Sequence, residues 1–348
     1  MRLDWFSSYL SGRRQFVKVN DMSSTSYLIG QGVPQGSVLG PILYSLYVSP
    51  LGDIARSHGL SFHCYADDTQ FYIAFNSADP VETESRRSIL ETCVNDIHKW
   101  MLHNDLKLNS DKSELLVISS ARRPRPTLNS VCIENDIVSA APSAKNIGVV
   151  FDEAMSLVPH VTNICKTSCF HLRAIRKIRQ FLDKDSTILL LQAFVISRLD
   201  YCNSLLFGLP DYVINRLQLI QNSAARLVFC ARKHDHVTPL LINLHWLPIQ
   251  YRIQFKILLM TFKVLCGEAP SYLCNLITPY VPTRTLRSQN KLLLHQPRFH
   301  LKSYGQRAFK TSAPCLWNDL PYNIKRSKDI NDFKKKLKTH LFKKAFAL

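Results

Sequence analysis

The stretch Phe62-His63-Cys64-Tyr65-Ala66-Asp67-Asp68-Thr69-Gln70-Phe71-Tyr72-Ile73-Ala74-Phe75 decides how the rest of the chain is read. Apolar and aromatic residues run up to a four-residue corner, two adjacent carboxylates occupy it, and apolar residues run away on the far side. This pattern predicts a β-hairpin with Asp67 and Asp68 at its tip. Asp is common in turns because it tolerates left-handed dihedrals and bonds to nearby backbone, so an ordinary tight turn accounts for one of the two. A second carboxylate beside it raises the ionisation cost of both unless a cation lies near. The tip is therefore a candidate Mg²⁺ site.

Composition limits what such a hairpin belongs to. The 348 residues are 46% hydrophobic, ample for a buried core, and carry 44 Lys and Arg against 26 Asp and Glu, a formal charge of +18. That imbalance argues against an ordinary enzyme for small neutral substrates and for a polyanionic partner. Of nucleic acid and an anionic membrane surface, nucleic acid is the expected one. The strongest apolar run, residues 188–196, is about half a bilayer span and is interrupted by Gln192, so no membrane crossing is expected. The residues Met1-Arg2-Leu3-Asp4-Trp5 do not have the pattern of a secretion signal. The ten cysteines lack paired spacing and are expected as reduced thiols of an intracellular chain. Cys165 with Cys169, and Cys230 with His234, His236 and His245, contain no C-x₂-C half-site, so no zinc is expected.

In chain order, residues 5–10 read as the end of a short amphipathic helix closed by Ser11-Gly12, and residues 15–20 and 26–29 as two strands around a polar turn at Asn20. Gly30-Gln31-Gly32-Val33-Pro34-Gln35-Gly36-Ser37-Val38-Leu39-Gly40-Pro41 is a Gly- and Pro-rich loop entering an apolar helix near Pro41. Alone it is as readily a connector as a ligand loop. Followed so closely by the double-Asp hairpin, it suggests a nucleotide site with metals. Asp79-Pro80-Val81-Glu82 is a helix start, and Leu90, Cys93, Val94, Ile97, Trp100 and Met101 recur on one face up to Asn104. Strands are expected at 114–118 and 147–151. The prediction is an α+β fold whose sheet is of the split ferredoxin-like type.

Taken together, Gln31-Gly32-Val33-Pro34-Gln35-Gly36-Ser37, Tyr65-Ala66-Asp67-Asp68, Trp100-Met101 with Leu106-Lys107-Leu108-Asn109 and Asp111-Lys112-Ser113-Glu114, and Ile147-Gly148-Val149-Val150-Phe151-Asp152 resemble the reverse transcriptase of non-LTR retrotransposons. They stand in the order and spacing of that family's motifs B to E. Leu199-Asp200-Tyr201-Cys202-Asn203, Leu244-His245-Trp246-Leu247-Pro248 and Leu316-Trp317-Asn318-Asp319-Leu320-Pro321 resemble the helical region that follows the polymerase in jockey-like elements. The resemblance implies a partial polymerase palm over residues 1–152, thumb-like basic helices over 153–230 and a basic helical region over 231–348.

It also implies roles. Asp67 matches the metal-binding Asp of a two-Mg²⁺ nucleotidyl transfer and Asp68 its less directly coordinating neighbour. Gln35, Gly36 and Tyr65 match the substrate-contacting loop and hairpin, and Lys112 matches a lysine that approaches the pyrophosphate. A solvated turn lysine is the competing reading of Lys112. The implied partners are an RNA template, a DNA primer or RNA–DNA duplex, and dNTPs. The family's motif A carboxylate and fingers match nothing in this sequence, because only three residues precede Asp4. The expectation is a fragment of an RNA-directed DNA polymerase that does not polymerise alone. The alternative is a non-catalytic nucleic-acid-binding remnant.

Beyond the palm, Val161, Ile164, Cys165, Ser168, Leu172 and Ile175 trace an apolar helix face, with Lys166, Arg173, Arg176, Lys177 and Arg179 on the others. Such a helix suits either a duplex backbone or plain solvation. Helices are expected at 186–198, 213–229 and 249–266, a loop or linker at 280–297, and a basic amphipathic helix at 329–346. That last helix is open to RNA binding, membrane association or a localisation role.

Overall fold

The computed structural model describes residues 2–34, 36–120, 126–134, 136–282, 291–299, 301 and 304–348. The chain forms two compact units, Met1–Gly148 with Asp152–Met155, and Val149–Phe151 with Ser156–Leu348. It is an α+β protein in which helix predominates.

The first unit opens with α1 (Arg2–Leu10) and four short strands, β1 (Arg14–Gln15), β2 (Lys18–Val19), β3 (Met22–Ser23) and β4 (Tyr27–Leu28). β1 pairs antiparallel with β4 and β2 with β3, so the two predicted strands form one interrupted ribbon. The helices α2 (Gly40–Tyr47) and α3 (Pro50–Ser57) each carry Pro in the first turn, where its missing N–H has no helical partner to lose. The hairpin of β5 (Ser61–Tyr65) and β6 (Asp68–Tyr72) follows. α4 (Pro80–His103) begins where the Asp79 carboxylate accepts from the amides of Val81 and Glu82 at 2.9 and 3.2 Å. β7 (Ser130–Ile133) and β8 (Asp136–Ser139) pair antiparallel, and β9 (Ser143–Asn146) comes next.

Val48, Leu51, Ala55, Leu60, Cys93 and Ile97 form the core of this unit, with Phe62, Phe71 and Ile73 of the hairpin segment packed against it. The α4 face is therefore the one its spacing predicts. α3 meets the hairpin at Gly52, where an added Cβ would lie 2.3 Å from Cζ of Phe62. The ring of Phe62 occupies the space a side chain would need.

Three expectations for this unit are corrected. The predicted strand at 114–118 makes a single bridge, Leu115 to Ala140. Beside that bridge the carbonyl of Leu115 accepts from the Ala141 amide at 2.8 Å. The strand expected from Ile147 starts at Val149, as β10 (Val149–Asp152), because Ile147 and Gly148 take positive φ of 43° and 78° and turn the chain first. Among the described residues strands pair only in twos, so the split ferredoxin-like sheet is not formed.

The second unit is helical. α5 (Val158–Ile178) buries His160, Val161, Ile164, Ser168, Leu172 and Ile175. α6 (Lys184–Leu191) continues through a π-helical turn (Gln192–Ile196) into α7 (Ser197–Asp200). Then come α8 (Asp211–Val228), α9 (Thr238–Asn243), α10 (Ile249–Leu265), α11 (Ser271–Cys274), α12 (Phe309–Asn318), α13 (Tyr322–Lys325) and α14 (Ile330–Phe346). One hydrophobic cluster joins buried residues from Val149 to Leu341.

Here too the structure revises the sequence reading. The apolar face of α14 is spent on the protein's own core: Phe333, Leu337 and Leu341 are at most 2% exposed, and Phe333 stacks on Phe262 with ring centroids 4.2 Å apart. A membrane-lying helix would need that face, so only its lysines remain for partners. Arg179 leaves the basic face of α5, because its guanidinium donates to the carbonyls of Leu182, Leu227 and Val228 at 2.7–2.9 Å and closes the end of α8. The expected linker at 280–297 contains Leu294, 3% exposed. Asn318 holds it by accepting from its amide (2.8 Å) and donating to its carbonyl (2.9 Å), while the Trp317 indole donates to the carbonyl of Leu292 at 2.8 Å. No helix among the described residues is long and apolar enough to cross a membrane.

Gly52→Ala is expected to destabilise the first unit by ~1–3 kcal/mol through overpacking against Phe62. A denaturant midpoint measures it, and Phe62→Leu in the same chain should recover part of the loss. An unchanged midpoint in Gly52→Ala would mean that α3 and the hairpin do not pack this way.

Candidate active site

The hairpin register pairs Tyr65 with Asp68, Cys64 with Thr69, His63 with Gln70 and Phe62 with Phe71. The two-residue turn is therefore Ala66-Asp67, and Asp68 is the first residue of β6 rather than a tip residue as the sequence suggests. Ala66 takes φ 53°, a left-handed conformation that costs an L-residue ~1–2 kcal/mol. Strain of this kind persists where the surroundings over-determine it.

Alternation along the ladder separates the two carboxylates. Phe62, Cys64, Thr69 and Phe71 share the face whose rings reach the core, whereas His63, Tyr65, Asp68, Gln70 and Tyr72 share the outer face. On that outer face Tyr65 is 65% exposed opposite Asp68. The His63 and Tyr72 rings stack at 5.4 Å, with a hydrogen bond of 3.2 Å between His63 Nε2 and the Tyr72 hydroxyl. Gln70 Oε1 accepts from Asn146 Nδ2 at 2.6 Å, tying this face to the end of β9.

Asp67 is exposed and faces a different neighbour. The phenol of Tyr44, half-buried on α2, has its pKa raised first by burial, then by the negative charge of Asp67 and then by Cys64. Tyr44 thus stands in the electrostatic field of Asp67 on the Cys64 side of the hairpin. The sequence reading passes over Tyr44, since nothing in its helical spacing marks it as a neighbour of the turn.

The Gly-rich loop is held from the chain that precedes it. Arg13 donates from Nη2 to the carbonyls of Gly32 and Gln31 at 2.6 and 3.2 Å, and Tyr9 donates its hydroxyl proton to Ser37 Oγ at 2.5 Å. Ser37 Oγ in turn accepts from the Gly40 amide at 3.1 Å. Arg13 and Tyr9 carry no motif, so their role is not visible in the sequence. Gly36 has φ 81°, and a Cβ there would meet nothing, so backbone conformation and not crowding within this chain requires glycine. Gln35 lies outside the described residues. Lys112 is exposed in a 3₁₀ turn (Ser110–Lys112), and no hydrogen bond or ion pair joins it to Asp67 or Asp68 among the described residues.

Asp67 and Asp68 offer hard oxygen donors, the chemistry that suits Mg²⁺, which keeps several waters and takes one or two carboxylates plus phosphate oxygens. Among the described residues no three His, Cys, Asp or Glu side chains converge on a metal position. The hairpin fits a divalent ion held by few protein ligands.

Residues 1–151 match the family described as reverse transcriptase (RNA-dependent DNA polymerase). More particularly, the chain is homologous to non-LTR retrotransposon polymerases of Drosophila. It is 31% identical over 234 residues to the probable RNA-directed DNA polymerase from transposon X-element of Drosophila melanogaster, covering 64% of this chain and 24% of that protein. It is 26% identical over 232 residues to the probable RNA-directed DNA polymerase from transposon BS of the same species, covering 64% and 25%. To the RNA-directed DNA polymerase from mobile element jockey of Drosophila funebris it is 24% identical over 230 residues, covering 64% and 24%. The chain spans about a quarter of the length of these relatives. No solved structure matches it.

Asp67→Asn should shift the Tyr44 phenol toward lower pH, because it removes a negative charge that disfavours the phenolate, while the contribution of burial remains. Ultraviolet difference titration against Tyr44→Phe isolates this group. A Tyr44 titration that does not move would separate Asp67 from α2.

Proposed function

We propose that this chain is part of an RNA-directed DNA polymerase of the non-LTR retrotransposon type, in which the β5–β6 hairpin supplies Asp67 as a Mg²⁺ ligand. The observation that carries the reading is the placement of Asp67 in the strained two-residue turn, inside a segment that matches the reverse transcriptase family. A Mg²⁺ ion bound there would polarise a phosphate oxygen and lower the pKa of a primer hydroxyl.

The roles of the protein groups follow from their positions. Asp67 lies in the turn, and Asp68 with Tyr65 forms an outer surface for substrate. Tyr44 lies in the electrostatic field of Asp67, and its burial together with that charge disfavours the phenolate. Gly36 presents backbone without a side chain to the nascent base pair, with Gln35 beside it. Lys112, exposed on its 3₁₀ turn, is the candidate acid for the leaving pyrophosphate. RNA template, DNA primer and dNTP are the proposed partners, and the charge of +18 supports a polyanionic one.

In-line displacement with two metals needs a further carboxylate to clamp both oxygens. The described residues bring none to the hairpin, so the 348-residue chain by itself is expected to add no nucleotide. Primer extension on an RNA template tests this. Extension that disappears in Asp67→Ala would show a complete site and overturn the expected inactivity. Metal binding is tested separately with Mn²⁺ as a paramagnetic probe: Asp67→Asn should weaken it severalfold and Asp68→Asn less. Equal binding by both variants and the parent would remove the hairpin as the metal site.

A further inference from the structure

A cavity of about 580 Å³ lies in the helical unit, lined by none of the residues assigned to the candidate active site. The stretches 199–203 and 244–248, which the polymerase motifs leave unused, both contribute to it, through Asp200 and Asn203 and through His245, Trp246 and Leu247. Resting on the reading that this chain handles nucleic acid, we propose that the cavity receives one unstacked nucleotide of a single strand.

The walls are set in place without a ligand. Arg252 donates from Nη1 to the Asp200 carboxylate at 2.7 Å and from Nε to the Leu247 carbonyl at 2.9 Å. Gln221, fully buried, donates to the same carbonyl at 2.9 Å. Asn203 is 2% exposed and donates weakly to Asp200 at 3.4 Å, and its Oδ1 has no hydrogen-bond partner. That oxygen is shielded from solvent, so Asn203 braces the wall and leaves contact with an occupant to its neighbours.

The chemistry of the rim selects the occupant. Arg252 neutralises Asp200, while Lys256 of α10 and Lys338 of α14 make no ion pair among the described residues, so the cavity is left with two uncompensated ammonium groups suited to phosphate. His245 sits at φ 50° with its ring exposed against Phe342, centroids 5.7 Å apart, which offers a flat surface for a base. The Gln192 amide offers donors and an acceptor to a base edge, and the Ser197 hydroxyl, which donates to the Ala193 carbonyl at 2.5 Å, offers an acceptor. Gln192 opens the π-helical turn, a distortion that recurs at functional sites. A duplex keeps its bases stacked and cannot place one in a concavity, whereas a single strand can.

The test uses the full chain and fluorescence anisotropy with a short labelled single-stranded RNA and, in parallel, an RNA–DNA duplex. The two lysines are at the rim, so Lys256→Gln with Lys338→Gln is expected to keep the fold. His245→Asn removes the ring with a residue that tolerates the same backbone conformation. The double variant should weaken single-strand binding by about tenfold and flatten the slope of log K against log salt by about 1.4, with duplex affinity changed by less than about twofold. His245→Asn should weaken single-strand binding alone. A nucleoside 5′-monophosphate should compete with the single strand where inorganic phosphate at equal concentration does not.

Single-strand binding unchanged in the variants, or single strand and duplex weakened equally, overturns the proposal. So does phosphate that competes as well as the nucleotide, which would mean an anion site only, or binding of the free nucleotide without the single strand. A parent chain that binds duplex but no single strand overturns this inference alone. One that binds neither overturns the nucleic-acid reading beneath it.

Discussion

The ring of Phe62 seated against Gly52 is the contact on which the first unit depends. A hairpin of two five-residue strands is marginal by itself and needs a hydrophobic partner for one face. α3 supplies that partner only because position 52 has no side chain. With Phe62 and Phe71 anchored to the core, the opposite face is committed to solvent, and with it Tyr65 and Asp68. Asp67, in the turn, escapes the alternation and lies in the neighbourhood of Tyr44. One packing contact thus separates two carboxylates that the sequence presents as a pair.

The helical unit obeys a different constraint. Its apolar positions are numerous enough to form one continuous cluster, and every amphipathic helix described in it spends its apolar stripe there, α14 included. The basic residues are then displaced outward by default. Being basic does not make a residue a phosphate contact, however. Arg179 caps α8, and Arg252 is bound to Asp200 and Leu247, so both are structural cations, whereas Lys256 and Lys338 stay uncommitted.

Helix reading succeeded wherever the determinant was local. The Asp79-Pro80 start, the Cys93 and Ile97 face and the α5 face are written in spacing and capping residues within a turn or two of each other. Strand reading failed where pairing had to be guessed. Residues 114–118 read as a strand, but a strand exists only by virtue of its neighbour, and theirs is a single bridge. Ile147 and Gly148 read as strand and fold as a turn, since positive φ at an isoleucine has no signature in composition.

What the residues by themselves determined is the class: an α+β chain whose first 151 residues match the reverse transcriptase family and carry a carboxylate hairpin, followed by a basic helical region. Those features rest on ordered motifs, charge and short-range periodicity, all of which are properties of the chain. What tertiary structure decided is direction. The ladder register sets the face that Asp68 takes, and a shift of one residue would move it to the other, while Asp67 lies in the turn outside the ladder. Contacts across 48 or more positions decide which arginines are buried in helix ends or ion pairs, and burial of α14 decides that its lysines, but not its apolar stripe, face outward. The physical reason is that such outcomes depend on which surfaces meet, and surfaces that meet in the fold are not neighbours in the sequence.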